Sequence, residues 1–297
     1  MSTIDLNQVK FLNAFNNIKD VGALTIEKIF EYFKGDFEKA WKASSLHFQK
    51  AGVKIRELKA LEKRSTIDPE KEIKRVFDSG INILTIKDKN YPPALKNISH
   101  PPILLYLKGE IKKEDDFSLA VVGTRKATEY GKRVTQEIVS KLAGFTIVSG
   151  LALGIDTFAH QTALANSHRT IAVLGTGLDK ESFYPKENWS LSEKIAQNGA
   201  LISEYPPGTK ASKESFPQRN RIISGLSKGV LVIEAPQKSG ALITVNFAIQ
   251  QNRDVFVVPG PIFSKTSQGT NELIKKGARL ITSAIDIFQD YNIQSDS

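Results

Sequence analysis

The chain has 297 residues with 41 Lys and Arg against 32 Asp and Glu, a net charge of +9, and its 40% hydrophobic and 25% charged content is that of a globular protein long enough for two domains. It contains no cysteine, which excludes disulfides, zinc–thiolate and iron–sulfur centres and a cysteine nucleophile. The basic balance favours a polyanionic partner, and with no apolar run of ~20 residues and no signal-peptide pattern over Met1–Gln8, a cytoplasmic protein without membrane contact is expected.

Residues 1–65 read as a small all-helical domain. Val9, Phe11, Leu12, Phe15 and Ile18 recur at helical spacing, as do Ile26, Ile29, Phe30 and Phe33. The stretch between them, Ile18 to Thr25, resembles a helix-hairpin-helix turn, whose amides would meet a phosphate. Leu24 stands where such a hairpin has its second glycine, and a packing or partner module is the alternative. Pro69 opens a helix over 70–79. Ile81–Ile86 and Ile103–Lys108 read as strands, with a turn over 88–93 and one helical turn over 94–98 between them. Together they form an extra edge ahead of the main sheet.

From Phe117 onward strand, glycine turn and helix alternate. Leu119–Val122 leads into Gly123-Thr-Arg125 and a helix over 128–142, and Phe145–Val148 into Ser149-Gly150 and a helix over 156–165. Thr170–Leu174 leads into Gly175-Thr-Gly177, and Leu201–Glu204 into a basic stretch. Gly229–Glu234 leads into Ser239-Gly240 and a helix through Gln251, Asp254–Pro259 into Gly260, and Arg279–Ile281 closes the series. Continuous β-branched runs alternating with helices predict an α/β fold, a mostly parallel sheet with helices on both faces. This core occupies residues 66–289, and 290–297 form a polar tail. In such sheets ligands bind outside the carboxyl ends of the strands, where the glycine, serine and threonine residues collect.

The basic stretch Gly208–Ser227 reaches that same edge. It holds Lys210, Lys213, Arg219 and Arg221 against the single acid Glu214, with one aromatic, Phe216. Pro217 marks a helix start whose first turn would present Gln218, Arg219, Asn220 and Arg221 with free N–H groups, an anion site. Cations around a stackable ring are the ingredients for holding single-stranded nucleic acid; a solvated basic helix end is the plain alternative. The turn Gly123–Gly131 is neither G-x-G-x-x-G nor a P-loop, and Ser149-Gly150 lacks the acid that holds an NAD ribose. No nicotinamide or other cofactor is therefore expected, although Arg125 can reach a phosphate or form a surface ion pair. Asp156 and His160 lie four apart on one helix face. They make either an acid/base pair or a helix cap with a packed histidine. His47, His100 and His168 show no metal-ligand spacing, and Ser149 has no nucleophile elbow. No catalytic constellation emerges.

The segments Val121–Gly131, Ser149–Asp156 with Ala159-His160, Ala172–Gly177 and Ser203–Pro206 recur in order. Phe216–Ser227, Ser239–Leu242 and Val257–Gly260 follow them. Over residues 75–288 this series resembles the DNA-processing family called DprA or Smf, and the helical N-terminal part resembles the helix-hairpin-helix or SAM-like domain that often precedes its core. The resemblance implies an extended Rossmann-like core without known catalysis. It also implies a homodimer that protects incoming single-stranded DNA during natural transformation and helps load a RecA-type recombinase. The pocket would use Arg125, Lys210, Lys213, Phe216, Arg219, Asn220 and Arg221, with amides near Gly123, Thr124, Ser149, Gly150 and Gly240. Many members carry a C-terminal winged-helix domain, whereas this sequence stops at Ser297. The competing expectation is a nucleotide-processing hydrolase resembling the lysine-decarboxylase-like family. Its P-G-G-x-G-T-x-x-E motif has no counterpart glutamate in Ala235–Asn246.

Overall fold

The structure, a computed structural model, describes residues 5–293. Five short helices come first: α1 (Leu6–Asn16), α2 (Ala23–Tyr32), α3 (Phe37–Lys42), α4 (Ser45–Lys50) and α5 (Ile55–Glu62). Carboxylates start several of them. Asp5 accepts from Asn7 N at 3.1 Å, Asp36 from Lys39 N at 2.9 Å, and Asp68 from Glu70 N at 3.0 Å just ahead of Pro69. The hairpin between α1 and α2 puts Gly22 at the helix cap, while Leu24 projects into solvent, 52% exposed.

Helix α6 (Pro69–Asp78) leads to β1 (Asn82–Thr85), α7 (Pro93–Lys96) and β2 (Leu104–Gly109). The core follows as β3 (Ser118–Val122), α8 (Glu129–Ser140), β4 (Thr146–Ser149), α9 (Ile155–Ala165), β5 (Thr170–Leu174), α10 (Trp189–Asn198) and β6 (Ala200–Ser203). Then come α11 (Ser215–Leu226), β7 (Gly229–Val232), α12 (Gly240–Gln250), β8 (Asp254–Val257), α13 (Gln268–Lys275), β9 (Arg279–Leu280) and α14 (Ala284–Asp290). Residues 294–297 of the expected tail lie outside the described residues.

One nine-stranded sheet runs β1-β2-β6-β5-β4-β3-β7-β8-β9. Its pairings are parallel from β6 to β9, and β1 and β2 add the antiparallel edge. This is the mostly parallel sheet that the alternation predicts, and the extended Rossmann-like core that the family resemblance implies. Strand residues alternate between the two faces. Leu119 and Val121 of β3 pack with Ile138 and Val139 of α8 and Ala159 of α9. Ala120 and Val122 turn instead to Ile222 and Ile223 of α11 and Val245 of α12. The N-terminal helices do not stand apart, because one apolar cluster joins Phe15, Ile29 and Phe48 to Val76 of α6, Tyr106 of β2 and Leu201 of β6.

Helices α10, α13 and α14 were not among the predicted elements. A parallel crossover needs a helix between its strands, yet α10 buries only Ser192 and Ile195, and α13 only Gly269 and Thr270. Around these, Trp189, Leu191 and Ala196 of α10 and Leu273 of α13 are only partly buried against the core, so each helix offers a short apolar stripe. Helix α11 also starts earlier than Pro217. Ser215 N donates to Ser212 Oγ at 3.0 Å and Ser212 N to Ser215 Oγ at 3.3 Å, a reciprocal cap that sets the start. Pro217 is tolerated in the first turn, where its missing N–H would have no helical acceptor.

Candidate functional site

Strands β4, β5 and β6 extend from β3 toward one end of the sheet and β7, β8 and β9 toward the other. The loops after β3 and β7 therefore part at a topological switch point, where open α/β sheets bind ligands. A cleft of about 650 Å³ opens there. One wall is the β3–α8 loop with Gly123, Thr124 and Arg125. Facing it are Pro236, Lys238, Ser239 and Gly240 ahead of and at the start of α12. Lys213 and the α11 residues Phe216, Arg219, Asn220 and Ile223 form the floor. Residues 216, 219, 220 and 223 share one helix face.

The β3–α8 loop keeps its shape through close approach and a buried carboxylate. A Cβ on Gly123 would lie 2.5 Å from Ile155 Cγ1, so only glycine fits. Thr124 N donates to Glu234 O at 2.8 Å. The Glu234 carboxylate accepts from Thr128 N at 2.9 Å, Thr128 Oγ1 at 2.7 Å and Thr266 Oγ1 at 2.8 Å. One residue thus ties together the loops after β3, β7 and β8.

Phe216 lines the cleft and is half-buried. The Arg125 guanidinium carbon is 5.2 Å from its ring centroid, a cation–π contact. The half-exposed Tyr184 ring is 5.8 Å away at 53°. Arg125, Lys213 and Lys238 are exposed, and none has a carboxylate partner among the described residues. The cleft therefore carries uncompensated positive charge around aromatic surface.

Arg219 is different, since it is only 4% exposed. Its Nη1 donates to Gly150 O at 2.7 Å and to Val173 O, and its Nε to Asn220 Oδ1 at 3.2 Å. Burial pulls its pKa down to about 10, with Asp156 opposing the shift. Asn220 Nδ2 donates to Gly240 O at 3.2 Å and so couples α11 to the start of α12. Gly150 N donates to Asp156 Oδ2 at 3.2 Å, and a Cβ on Gly150 would lie 2.6 Å from Arg219 Nη2. Ser149 is fully buried, its hydroxyl donating to Val121 O at 2.6 Å. Neither residue lines the cleft; Gly150 touches it only through Arg219, whose Nη1 donates to the Gly150 carbonyl.

Four of the predicted site residues do not line the cleft: Ser149 is buried, the Gly150 amide is spent on Asp156, and Lys210 and Arg221 lie elsewhere. Lys210 is exposed on the loop before α11, outside the lining. Arg221 is two residues from Arg219, roughly 200° around the helix, and points to the other side. Its Nη2 bonds Glu204 Oε1 at 2.7 Å and its Nε bonds His100 O at 3.1 Å. Burial alone would lower its pKa, but Glu204 more than offsets that and the pKa is raised. The N–H groups of residues 218–221 also fall within the helix, so they form no free anion site.

Asp156 does not cap its own helix. Gly154 holds the cap with φ +83°, and the Asp156 carboxylate accepts from Gly150 N and Ala152 N at 3.2 and 3.3 Å, closing the preceding turn. Burial raises its pKa, with Arg219 opposing. His160 Nδ1 bonds Thr170 Oγ1 at 2.7 Å, and burial, then Arg219, pushes its pKa down to about 3. It is a packed, neutral histidine.

Sequence reasoning passed over Tyr184, Glu234 and Lys238. Lys238 was findable as a cation in a loop at a strand's carboxyl end. Tyr184 is 10 residues past β5 in an irregular connection, where no pattern marks it.

The family of DNA recombination-mediator protein A matches residues 82–292. The chain belongs to this family. Protein Smf of Synechocystis is 41% identical over 279 residues, covering 91% of this chain and 69% of that protein. Among solved structures of the family, DNA processing protein A from Streptococcus pneumoniae matches with a TM-score of 0.82 at 36% identity. That match covers 96% of this chain and 97% of the other. DNA processing protein A from Helicobacter pylori, whose structure concerns its single-stranded DNA binding mode, matches with a TM-score of 0.64 at 34% identity. It covers 72% of this chain and 97% of that one. No helix among the described residues is long and apolar enough to cross a membrane.

Proposed function

We propose that the cleft binds single-stranded DNA and that the chain is a non-enzymatic recombination mediator of the cytoplasm. It holds incoming strands as a homodimer and passes them to a RecA-type recombinase. The observation that carries this reading is the set of uncompensated cations, Arg125, Lys213 and Lys238, around the Phe216 ring at the switch point. Unpaired bases expose faces that such a ring can stack, while the cations track the backbone. The binding mode named for the Helicobacter relative supports the same ligand. The nearest titratable pair, Asp156 and His160, is buried and spent on structural hydrogen bonds, which favours binding over chemistry.

Fluorescence anisotropy of single- and double-stranded oligonucleotides across a salt series tests the reading. Each phosphate contact to a single strand contributes a slope of about −0.7 in log K against log salt, so three cations predict about −2. Lys213→Ala flattens that slope by one contact. Equal affinity for both DNA forms with no salt dependence overturns the assignment. Sedimentation velocity reads the dimer, and recombinase assembly on single strands with and without this protein reads the hand-off.

A further inference from the structure

Beyond the cleft, the most solvent-exposed large apolar residues in the described chain are neighbours. Ile262 is 77% and Phe263 92% exposed. They lie between β8 and α13, at the turn closed by Ser264 N donating to Pro261 O at 3.0 Å. Turn positions ordinarily carry Gly, Pro, Asn, Asp or Ser, so packing and local conformation do not account for two bulky apolar side chains there.

The loop that carries them is held firmly. Gly260 N donates to Asn271 Oδ1 at 3.2 Å, Asn271 Nδ2 donates to Gly260 O at 3.0 Å, and Tyr130 OH donates to Pro259 O at 2.8 Å. Its backbone is thus fixed while the Phe263 ring is free. Such a platform binds without the entropic cost of ordering a loop.

The loop is also continuous with the cleft. Strands β7 and β8 are parallel neighbours, so both of their following loops emerge at one sheet edge. Ala235 N donates to Thr266 O at 2.7 Å, and Gly269 N to Ala235 O at 2.8 Å. A Cβ on Gly269 would approach Pro236 O to 2.8 Å, so the two segments are in direct contact. Pro236 and Lys238 belong to the cleft wall, and exposed Lys265 stands two residues beyond Phe263.

We infer that Phe263, with Lys265, forms a second stacking station for a single strand leaving the cleft over the Pro236–Lys238 wall. The ligand is single-stranded nucleic acid longer than the cleft itself holds. The inference rests on the cleft reading above, and oligonucleotide length separates the two. The probes are oligothymidylates of about 4 and about 16 nucleotides, within the range of single-strand site sizes.

Phe263→Ala is expected to weaken the long probe about tenfold and leave the short one unchanged, while Phe263→Trp retains long-probe affinity. Phe216→Ala weakens both. If Phe216→Ala weakens both probes and Phe263→Ala weakens neither, the second station is wrong and the cleft stands. If Phe216→Ala weakens neither, both assignments fall. A Phe263→Ala protein that loses self-association while binding the long probe normally shows the ring to be a contact between copies and overturns the inference.

Discussion

Removing one member of the Arg221–Glu204 pair separates the structural role of α11 from its proposed nucleic-acid role. The pair is 2.7 Å apart with side chains 8% and 9% exposed, so it is buried and not a surface bridge. Arg221→Met leaves the Glu204 carboxylate without its cation and the His100 carbonyl without its donor. Breaking a buried pair in this way costs about 3–5 kcal/mol, against about 0–1 kcal/mol for an exposed one. For 297 residues an unfolding entropy of ~2.1 cal/mol/K per residue gives roughly 0.6 kcal/mol/K, and thus a midpoint about 5–8 °C lower. Replacing both partners, Arg221→Met with Glu204→Leu, recovers most of that loss, because no lone charge remains. Thermal unfolding followed by circular dichroism reads the midpoints. Anisotropy below both transitions reads DNA affinity, which is expected to stay within about twofold of the parent, an effect below 0.5 kcal/mol. An unmoved midpoint with tenfold weaker DNA binding would refute the reasoning, because it would put this guanidinium on the nucleic acid.

Phe216→Ala is expected to cost the stacking of one base, about 1–3 kcal/mol or roughly 5- to 150-fold in affinity; an unchanged dissociation constant counts against the ring. Gly150→Ala drives a methyl group into the Arg219 guanidinium, with a loss of about 1–3 kcal/mol by overpacking, read by urea unfolding; an unchanged midpoint means that Arg219 yields freely. His160 is held neutral in the fold with a pKa of about 3. Its contribution is present above the unfolded value near 6.5 and is lost as pH falls toward 3, since the unfolded chain takes up the proton first. Between pH 7 and 5 the parent should lose about 2 kcal/mol more than His160→Asn, and parallel stability curves would contradict the burial. Incubation with nucleoside monophosphates is expected to release no free base; base release would favour the hydrolase reading.

The strand–glycine–helix rhythm made the sheet legible, because parallel strands buried on both faces appear as apolar runs such as Leu119–Val122. The same rhythm pointed to the sheet edge where the cleft opens, and Arg125, Lys213 and Phe216 line it. Helices α10 and α13 are short and set only a few apolar side chains on the core, Trp189, Leu191, Ile195 and Ala196 in α10 and Leu273 in α13, and they were passed over. Placing Arg219 and Arg221 together was an error of geometry that helical rotation alone corrects. Burial of Arg219 and Glu234 was not legible, because their partners are backbone atoms and hydroxyls distant in sequence. The reciprocal Ser212–Ser215 cap was readable in principle, but Pro217 drew the boundary toward itself.

The pairing of β3 with β7 has a consequence for synthesis. Leu119 lies opposite Gly229, 110 residues later (229 − 119). At about 5–20 residues per second the ribosome takes roughly 5–20 seconds to supply that partner. Throughout that interval β3 is an open edge, and the cleft lacks the wall around Gly240. A growing chain therefore has no assembled cleft, and on the proposed function it could not seize nucleic acid beside the ribosome. The cleft's lining is complete only once the chain has reached Thr244.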